Sequence, residues 1–540
     1  MMCLFRPLSR LSLWIVTLLL AMPVLTVLLS WLQWNGVSAQ ILGELSQSVL
    51  PDYVRTSVLL CAGVSLGVIS MGVVSAALVA LFEFPLRRTL EWALLLPLAM
   101  PAYVVAYAYT DFLQYSGLAQ NTLRDWTGLE GRLLPEVRSV WGAMCVFSLV
   151  LYPYVYLLVR AAMAERAHHL MEAARLLGAP LQRRILSVAL PLARPAIAAG
   201  TALALMETLA DFGVASYFGV QTFTAGIYKA WLVMDNRIAA AQLATGLLLA
   251  VTVLLSLEQR AQSRLRFAAG HSDAQSAEAR AHVLKGWPAL LAFGLCFVPV
   301  LLGFVLPVLL MCRALLESMQ SMPVPWIRFM HWSLNSILLG SVTALLAVGL
   351  ALWLTSQARF SGTALTRGLL RTVGLGYAVP GAVIVVGLLL PLGWLQSSWP
   401  QSGAGYWLTA TVLGLVWAYL VRFVAVAIQS VGSGYARIPS TLDESARLLG
   451  VSGWRLVTTV HVPLLRKPVA VALLLVLVDV MKELPATLVL RPFNTDTLAV
   501  MAYQLARDER LGEAALPSLA MVVAGLLPVI LLSRTLGREK

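Results

Sequence analysis

The sequence predicts an all-α membrane protein with about 12 transmembrane helices, arranged as two parallel, pseudosymmetric halves of six helices each. Of its 540 residues, 59% are hydrophobic and only 12% are charged, and the mean hydropathy is +0.81. Soluble domains are about 45–50% apolar and about 25% charged, so a chain of this composition requires lipid around it. The apolar runs are continuous rather than alternating, which favours helices over a β-barrel.

Twelve apolar runs are long enough to cross a bilayer. The first follows Arg6 and Arg10 and ends at an interfacial pair, Trp31 and Trp34, so we expect a retained span and not a cleaved signal peptide. An even number of spans places both termini on one side, and the basic residues near each end favour the cytoplasm. The predicted spans lie near 13–32, 56–82, 92–110, 140–160, 194–212, 238–257, 287–311, 334–355, 372–393, 408–430, 468–490 and 514–533.

The net charge of +13 is explained by the membrane. Lysine and arginine concentrate in alternate loops, as expected for cytoplasmic loops. No domain is free to present a groove-binding face, so a nucleic-acid partner is excluded. The five cysteines have no paired spacing, which argues against a disulfide framework. The six histidines likewise show no metal-ligand spacing.

A polar linker at 258–286 divides the chain into a first half, 1–257, and a second half, 287–540. Three matches in the same order predict a duplicated unit. Because each copy holds an even number of spans, the halves are related by an axis along the membrane normal. Residues 55–60, 99–102 and 171–178 match residues 334–339, 378–381 and 443–450, respectively.

One motif recurs with identical spacing in the fourth loop of each half. It predicts a short helix, a glycine in the left-handed conformation, and a second helix that breaks at a proline as it returns to the membrane. Ser440 and Asp443 resemble a capping box at the start of the second copy. The motif residues are Glu172, Ala173, Ala174, Gly178 and Pro191 in the first half, and Glu444, Ser445, Ala446, Gly450 and Pro463 in the second.

This motif resembles the EAA loop of the integral-membrane subunits of bacterial ABC importers, the binding-protein-dependent permeases. The resemblance implies the ABC importer permease fold and a coupling helix in each loop that lies in a groove of a separate ATPase subunit. The motif residues would form two docking sites for two ATPase copies, although Ser445 departs from the alanine that the family prefers. The chain has no Gly-x-x-x-x-Gly-Lys-Ser/Thr phosphate loop. We therefore expect no enzymatic activity and no bound cofactor, with ATP used by partner subunits.

Ionisable residues inside the predicted spans are candidates for the translocation path, because charge is costly in lipid. In each half two carboxylates are four positions apart, so we expect each pair to share a helix face. Arg422 and one lysine could neutralise part of their charge. The alternative is that these residues form interhelical pairs or lie at the outer interface. The candidates are Glu207 and Asp211 in the first half, and Asp479, Lys482 and Glu483 in the second.

Residues 207–219, 224–231, 482–493, 496–500 and 503–511 resemble the ferric-iron ABC permeases. The resemblance implies ferric iron as cargo, a periplasmic ferric-iron-binding protein as partner, and a multi-pass location in the bacterial inner membrane. A hard cation prefers oxygen ligands, but conduction requires weak contact, so we expect no stable metal site. Permeases for thiamine, phosphonate or polyamine remain alternatives. An ion-driven secondary transporter is an alternative of another class, and it would not require two matched loops.

Overall fold

The computed structural model describes residues 2–32, 40, 43–44, 47–163, 168–269, 282–321, 323–361 and 363–537. Within these ranges the chain is almost entirely helical, and the predicted all-α membrane fold is confirmed. One parallel pair of two-residue strands joins Phe82–Glu83 to His282–Val283. The α-helices are Met2–Leu29, Leu50–Leu81, Arg87–Ala93, Ala102–Leu113, Leu118–Thr127, Val140–Ala162, His168–Leu176, Leu181–Arg184, Leu190–Ala210, Gly213–Phe218, Phe223–Tyr228, Arg237–Ala269, Trp287–Val300, Leu306–Ser321, Trp326–Ser361, Ala364–Gly374, Gly381–Ser398, Ala404–Thr409, Val412–Tyr435, Ser440–Leu448, Gly453–Leu456, Val462–Leu464, Arg466–Lys482, Pro485–Leu490, Leu498–Arg507 and Leu511–Gly537.

Ten helical segments among the described residues are long and apolar enough to cross a membrane. An eleventh is obtained if Arg87–Ala99 and Ala102–Thr127, which meet at 91°, are counted as one span. The sequence predicted 12. The predicted span at 468–490 is interrupted: its helix, Arg466–Lys482, is 17 residues long. A proline at position 485 lacks the N–H that a continuing helix would need there.

Corresponding prolines break the third span of each half in the same way. Pro101 follows the 3-10 turn Leu96–Ala99 and caps the next helix with φ −61° and ψ 138°. Pro380 follows the turn Leu375–Ala378 and caps its helix with φ −58° and ψ 141°. Matched sequence therefore has matched backbone, as a duplicated unit predicts.

A second correspondence involves two serines in the aligned segments. Ser57 accepts a hydrogen bond from the N–H of Phe223 at 3.3 Å, and Ser336 accepts one from the N–H of Leu498 at 2.8 Å. Each bond holds the start of a short helix against the second span of its own half. The repeat thus extends to single side-chain contacts.

The first span of each half packs against the other half. Gly387 approaches the first helix so closely that a Cβ there would lie 2.0 Å from the carbonyl oxygen of Pro23. In the reciprocal contact, the hydroxyl of Tyr109 donates to the carbonyl oxygen of Leu302 at 2.6 Å. One continuous apolar core consequently draws side chains from both halves.

The predicted linker at 258–286 is only partly described. The helix Arg237–Ala269 continues into it, and Val283 at its far end pairs with Glu83. Residues 270–281 lie outside the described residues. The domain boundaries at 257 and 287 therefore stay predictions.

Candidate translocation path and docking elbows

The two motif loops fold as matching pairs of short helices. We call His168–Leu176 with Leu181–Arg184 the first elbow, and Ser440–Leu448 with Gly453–Leu456 the second elbow. Each elbow precedes a membrane helix that leads to the candidate path. The predicted helix–glycine–helix order is present in both.

A glycine in the left-handed region ends the first helix of each elbow. Gly178 and Gly450 both have φ +81°. The N–H after each glycine donates to a carbonyl five residues earlier, at 3.0 Å in the first elbow and 2.9 Å in the second. This is the hydrogen-bond pattern of a Schellman motif. A Cβ at either position would meet nothing within 4 Å, so the requirement for glycine is conformational and not steric.

The other motif residues are placed as follows. Pro191 lies in the first two residues of its membrane helix, after a π-helical turn, and Pro463 lies in a three-residue helix after an equivalent π-helical turn. The predicted break is therefore a widened turn in the first half and a separate helix start, at Arg466, in the second. Ala173, Glu444 and Ser445 are exposed, Ala174 is half-buried and Ala446 is buried, while Glu172 lies in its helix with its side chain outside the described residues.

Sequence reasoning missed an exposed pair of leucines on each elbow. Leu176 and Leu177 are 89% and 88% exposed, and Leu448 and Leu449 are 90% and 83% exposed. Each pair ends the first short helix, directly before the glycine. Exposed neighbouring leucines at corresponding places are typical of a surface that a partner covers.

The predicted capping box in the second elbow is wrong. The helix begins at Ser440 after Pro439, with no side-chain cap. Asp443 instead accepts hydrogen bonds from Arg359 Nε at 2.6 Å and His461 Nε2 at 2.9 Å. A charge-assisted bond to a distant guanidinium is stronger than a local cap, and nothing in the local sequence marks that partner.

All five candidate path residues line one cavity between the two halves, with a volume of about 190 Å³. Four carboxylates and the cationic groups of Arg422 and Lys482 contribute to its wall, so the lining is acidic. Tyr103, Tyr154 and Tyr377 add phenolic groups. The sequence-predicted residues, far apart in the chain, are thus brought together. Those five residues are Glu207, Asp211, Asp479, Lys482 and Glu483.

The expectation that each pair of carboxylates shares a helix face is wrong. The helices Leu190–Ala210 and Arg466–Lys482 end directly before Asp211 and Glu483, which have extended backbones. Both carboxylates accept backbone N–H bonds from three residues further on, at 2.8 Å and 3.0 Å. They cap the short helices that follow, and each membrane helix therefore ends before its carboxylate instead of continuing through it.

Two cationic side chains join the halves at this cavity. The guanidinium of Arg422, 12% exposed, lies 3.9 Å from Glu207 and 3.7 Å from Glu483. Its Nε has no hydrogen-bond partner within the described part of the chain. Lys482 Nζ donates to the carbonyl oxygen of Leu98 at 3.1 Å. The residues therefore form interhelical pairs and line the cavity at the same time, which the sequence presented as alternatives.

No group of three or more His, Cys, Asp or Glu side chains that could hold a metal ion occurs in the described ranges. Two of the four cavity carboxylates are occupied as helix caps, and a third is paired with Arg422. That no stable metal site forms stays a prediction.

Comparison with known proteins identifies the family. The family model described as the inner-membrane component of binding-protein-dependent transport systems matches residues 68–267 and again residues 347–537. An Fe(3+)-transport system permease protein of Haemophilus influenzae is 25% identical over 493 residues, 90% of each chain. A molybdenum transport system permease protein of Escherichia coli is 31% identical over 147 residues, 27% of this chain and 62% of that one. The chain therefore belongs to the inner-membrane components of binding-protein-dependent transport systems and is an ABC transporter permease subunit that carries two permease units in one polypeptide.

Proposed function

We propose that this chain is the permease subunit of an ATP-driven importer of ferric iron, and that its two elbows dock separate ATPase subunits. The observation that carries the choice of cargo is the acidic cavity between the halves. Its wall presents four carboxylates and three phenols against two cationic groups. Such oxygen donors suit a hard cation, whereas the excess of negative charge would repel an oxyanion.

The hydrogen bonds and ion pairs that these carboxylates already make favour passage of a cation over its tight binding. Asp211 and Glu483 already accept backbone hydrogen bonds, and Arg422 neutralises part of the remaining charge. A cation would therefore meet partly satisfied ligands and leave again, as conduction requires. The H. influenzae relative named for Fe(3+) transport supports the same cargo over nearly the full chain.

The elbows support the proposed partners. Two elbows with the same glycine conformation and the same exposed leucine pair suit two copies of one ATPase subunit. ATP would be used by those copies, while this chain binds no cofactor. A periplasmic ferric-iron-binding protein would deliver the cargo on the side opposite the elbows, with both termini in the cytoplasm.

Uptake of labelled ferric iron tests the proposal. A strain that lacks the gene is complemented with the native chain, with Glu207→Gln, or with Glu136→Gln as a control in an exposed ion pair. Glu207 faces the cavity and is 27% exposed, so its neutralisation alters the lining at little cost to folding. We expect iron uptake to require the chain, to fall with Glu207→Gln, and to be normal with Glu136→Gln.

The same strains separate the alternatives. Thiamine, polyamine, phosphonate and molybdate uptake are measured in parallel. If the strain without the gene loses uptake of one of these solutes while its iron uptake is unchanged, ferric iron is not the cargo. Uptake that survives ATP depletion but stops when the proton or sodium gradient is dissipated would show a secondary transporter.

A further inference from the structure

The elbows match in backbone but differ, among the side chains that the structure describes, in two corresponding residues that face the membrane helices. Seven residues before the glycine and eleven residues after it, the first elbow has Met171 and Ala189, and the second has Asp443 and His461. The first pair is buried in an apolar cluster with Leu81, the last residue of the second span. We call Met171, Ala189 and Leu81 the apolar anchor.

In the second elbow the corresponding place is occupied by charged and polar groups. Asp443 is 6% exposed and His461 is fully buried. Arg359, in the last turn of the corresponding second span, donates to the Asp443 carboxylate at 2.6 Å, and His461 donates to it at 2.9 Å. We call Arg359, Asp443 and His461 the polar anchor.

Arg359 also holds the chain that leads into the second elbow. Its guanidinium donates to the carbonyl oxygens of Tyr435, Ile438 and Pro439 at 3.1, 3.0 and 3.2 Å. Carbonyls at the end of a helix otherwise lack partners. One side chain therefore ties the end of a membrane helix, the connecting turn and the elbow helix together.

Protonation within the polar anchor follows from the geometry. A carboxylate only accepts hydrogen bonds, so His461 Nε2 carries a proton, while Nδ1 lies 3.3 Å from the hydroxyl of Tyr435. Burial would raise the pKa of Asp443, but the hydrogen bonds from Arg359 and His461 outweigh it and hold this pKa below its usual value. The carboxylate is therefore ionised at neutral pH.

We propose that the polar anchor is a positioning site that holds the second elbow in one orientation, and that the apolar anchor leaves the first elbow free to tilt. The two ATPase docking sites of this chain are then mechanically unequal. Charge-assisted hydrogen bonds are directional, whereas apolar contact is not. A buried ion pair adds little net stability compared with apolar packing, and its best-attested role is to specify one arrangement. The consequence for transport rests on the proposed docking function.

Pairs of spin labels measure this difference on the purified permease without ATPase. The native cysteines are replaced, and each elbow label is paired with a label at a corresponding lipid-facing position, Leu66 with Leu177 and Leu345 with Leu449. Pulsed electron paramagnetic resonance then gives a distance distribution for each elbow. We expect the distribution for the second elbow to be the narrower. Equal widths in the native sequence would overturn the proposal.

Two variants test the cause. Asp443→Asn keeps the shape of the side chain but removes its charge. It should broaden the distance distribution of the second elbow and leave that of the first elbow unchanged. Met171→Leu is the matched control and should change neither distribution. If Asp443→Asn does not fold, the triple variant Arg359→Leu, Asp443→Met, His461→Ala installs the apolar anchor instead. A narrow second-elbow distribution in either variant refutes the role of the polar anchor. ATPase binding that is insensitive to the elbows would refute the docking function alone, since the label distances do not depend on it.

Discussion

Replacing the exposed leucines of the second elbow should strongly weaken ATPase binding at that elbow without unfolding the permease. Leu448 and Leu449 are 90% and 83% exposed, so nearly all of their apolar surface is available to a partner. Burial contributes about 0.8 kcal/mol per methylene, so Leu→Ala removes about 2 kcal/mol per fully covered leucine. One substitution should therefore weaken binding about 30-fold, and the pair about 1000-fold. These are upper values, because a leucine that the partner covers only partly contributes proportionally less to binding.

The assay is a titration of the purified ATPase subunit onto the permease in lipid nanodiscs. The thermal unfolding midpoint of each permease variant is measured beside it and should not move, since these side chains make few contacts in the permease. Leu345→Ala, at a lipid-facing position that is 65% exposed, is the control and should bind normally. The same double substitution is made at the first elbow, Leu176→Ala with Leu177→Ala. If both double variants bind the ATPase with the native dissociation constant, the leucine pairs are not the docking surfaces.

Two further substitutions test the backbone of the elbows and the charges of the cavity. At Gly178 and Gly450, substitution by alanine should lower the free energy of unfolding by about 1–2 kcal/mol because of the left-handed backbone. Substitution by proline should stop transport at normal membrane abundance, since the φ of proline is near −65° and it has no N–H to donate. Normal transport by both proline variants would contradict the elbow geometry. Arg422→Met should lower the free energy of unfolding by about 3–5 kcal/mol, because it leaves Glu207 and Glu483 without their cation, and adding Glu207→Gln should restore part of that loss. A thermal unfolding midpoint that does not move in Arg422→Met would show that the guanidinium does not stabilise the cavity.

Local features of the sequence were sufficient to predict the duplication, the elbows and all of the candidate membrane spans except the one at 468–490. An apolar run of about 20 residues, a glycine followed at a fixed distance by a proline, and a repeat of that spacing are properties of short segments. The glycine at 178 illustrates this, because the left-handed conformation that it adopts depends on its own missing side chain and not on a neighbour.

The ends of the membrane helices at the cavity were less accessible to sequence reasoning. Asp211 and Glu483 were expected inside helices, but each caps a short helix that begins two residues later. The proline at 485 was a signal of this break, whereas the first half has no proline at the corresponding place. Equal spacing in sequence therefore led to residues that line one cavity, but to the wrong relation between them.

By itself, the sequence determined which segments are long and apolar enough to span a membrane, apart from the one at 468–490. It also determined that two copies of one unit are present and where each copy bends at the elbow, because hydrophobic length and backbone conformation act over a few residues. Only the tertiary structure decided that Pro23 of the first span packs on Gly387 of the other half. It likewise decided that Arg422 lies between carboxylates of both halves, and that Asp443 accepts a hydrogen bond from Arg359 and does not cap its own helix. Those choices depend on which surfaces fit closely and which charges are left without water, and residues far apart in the chain settle both together.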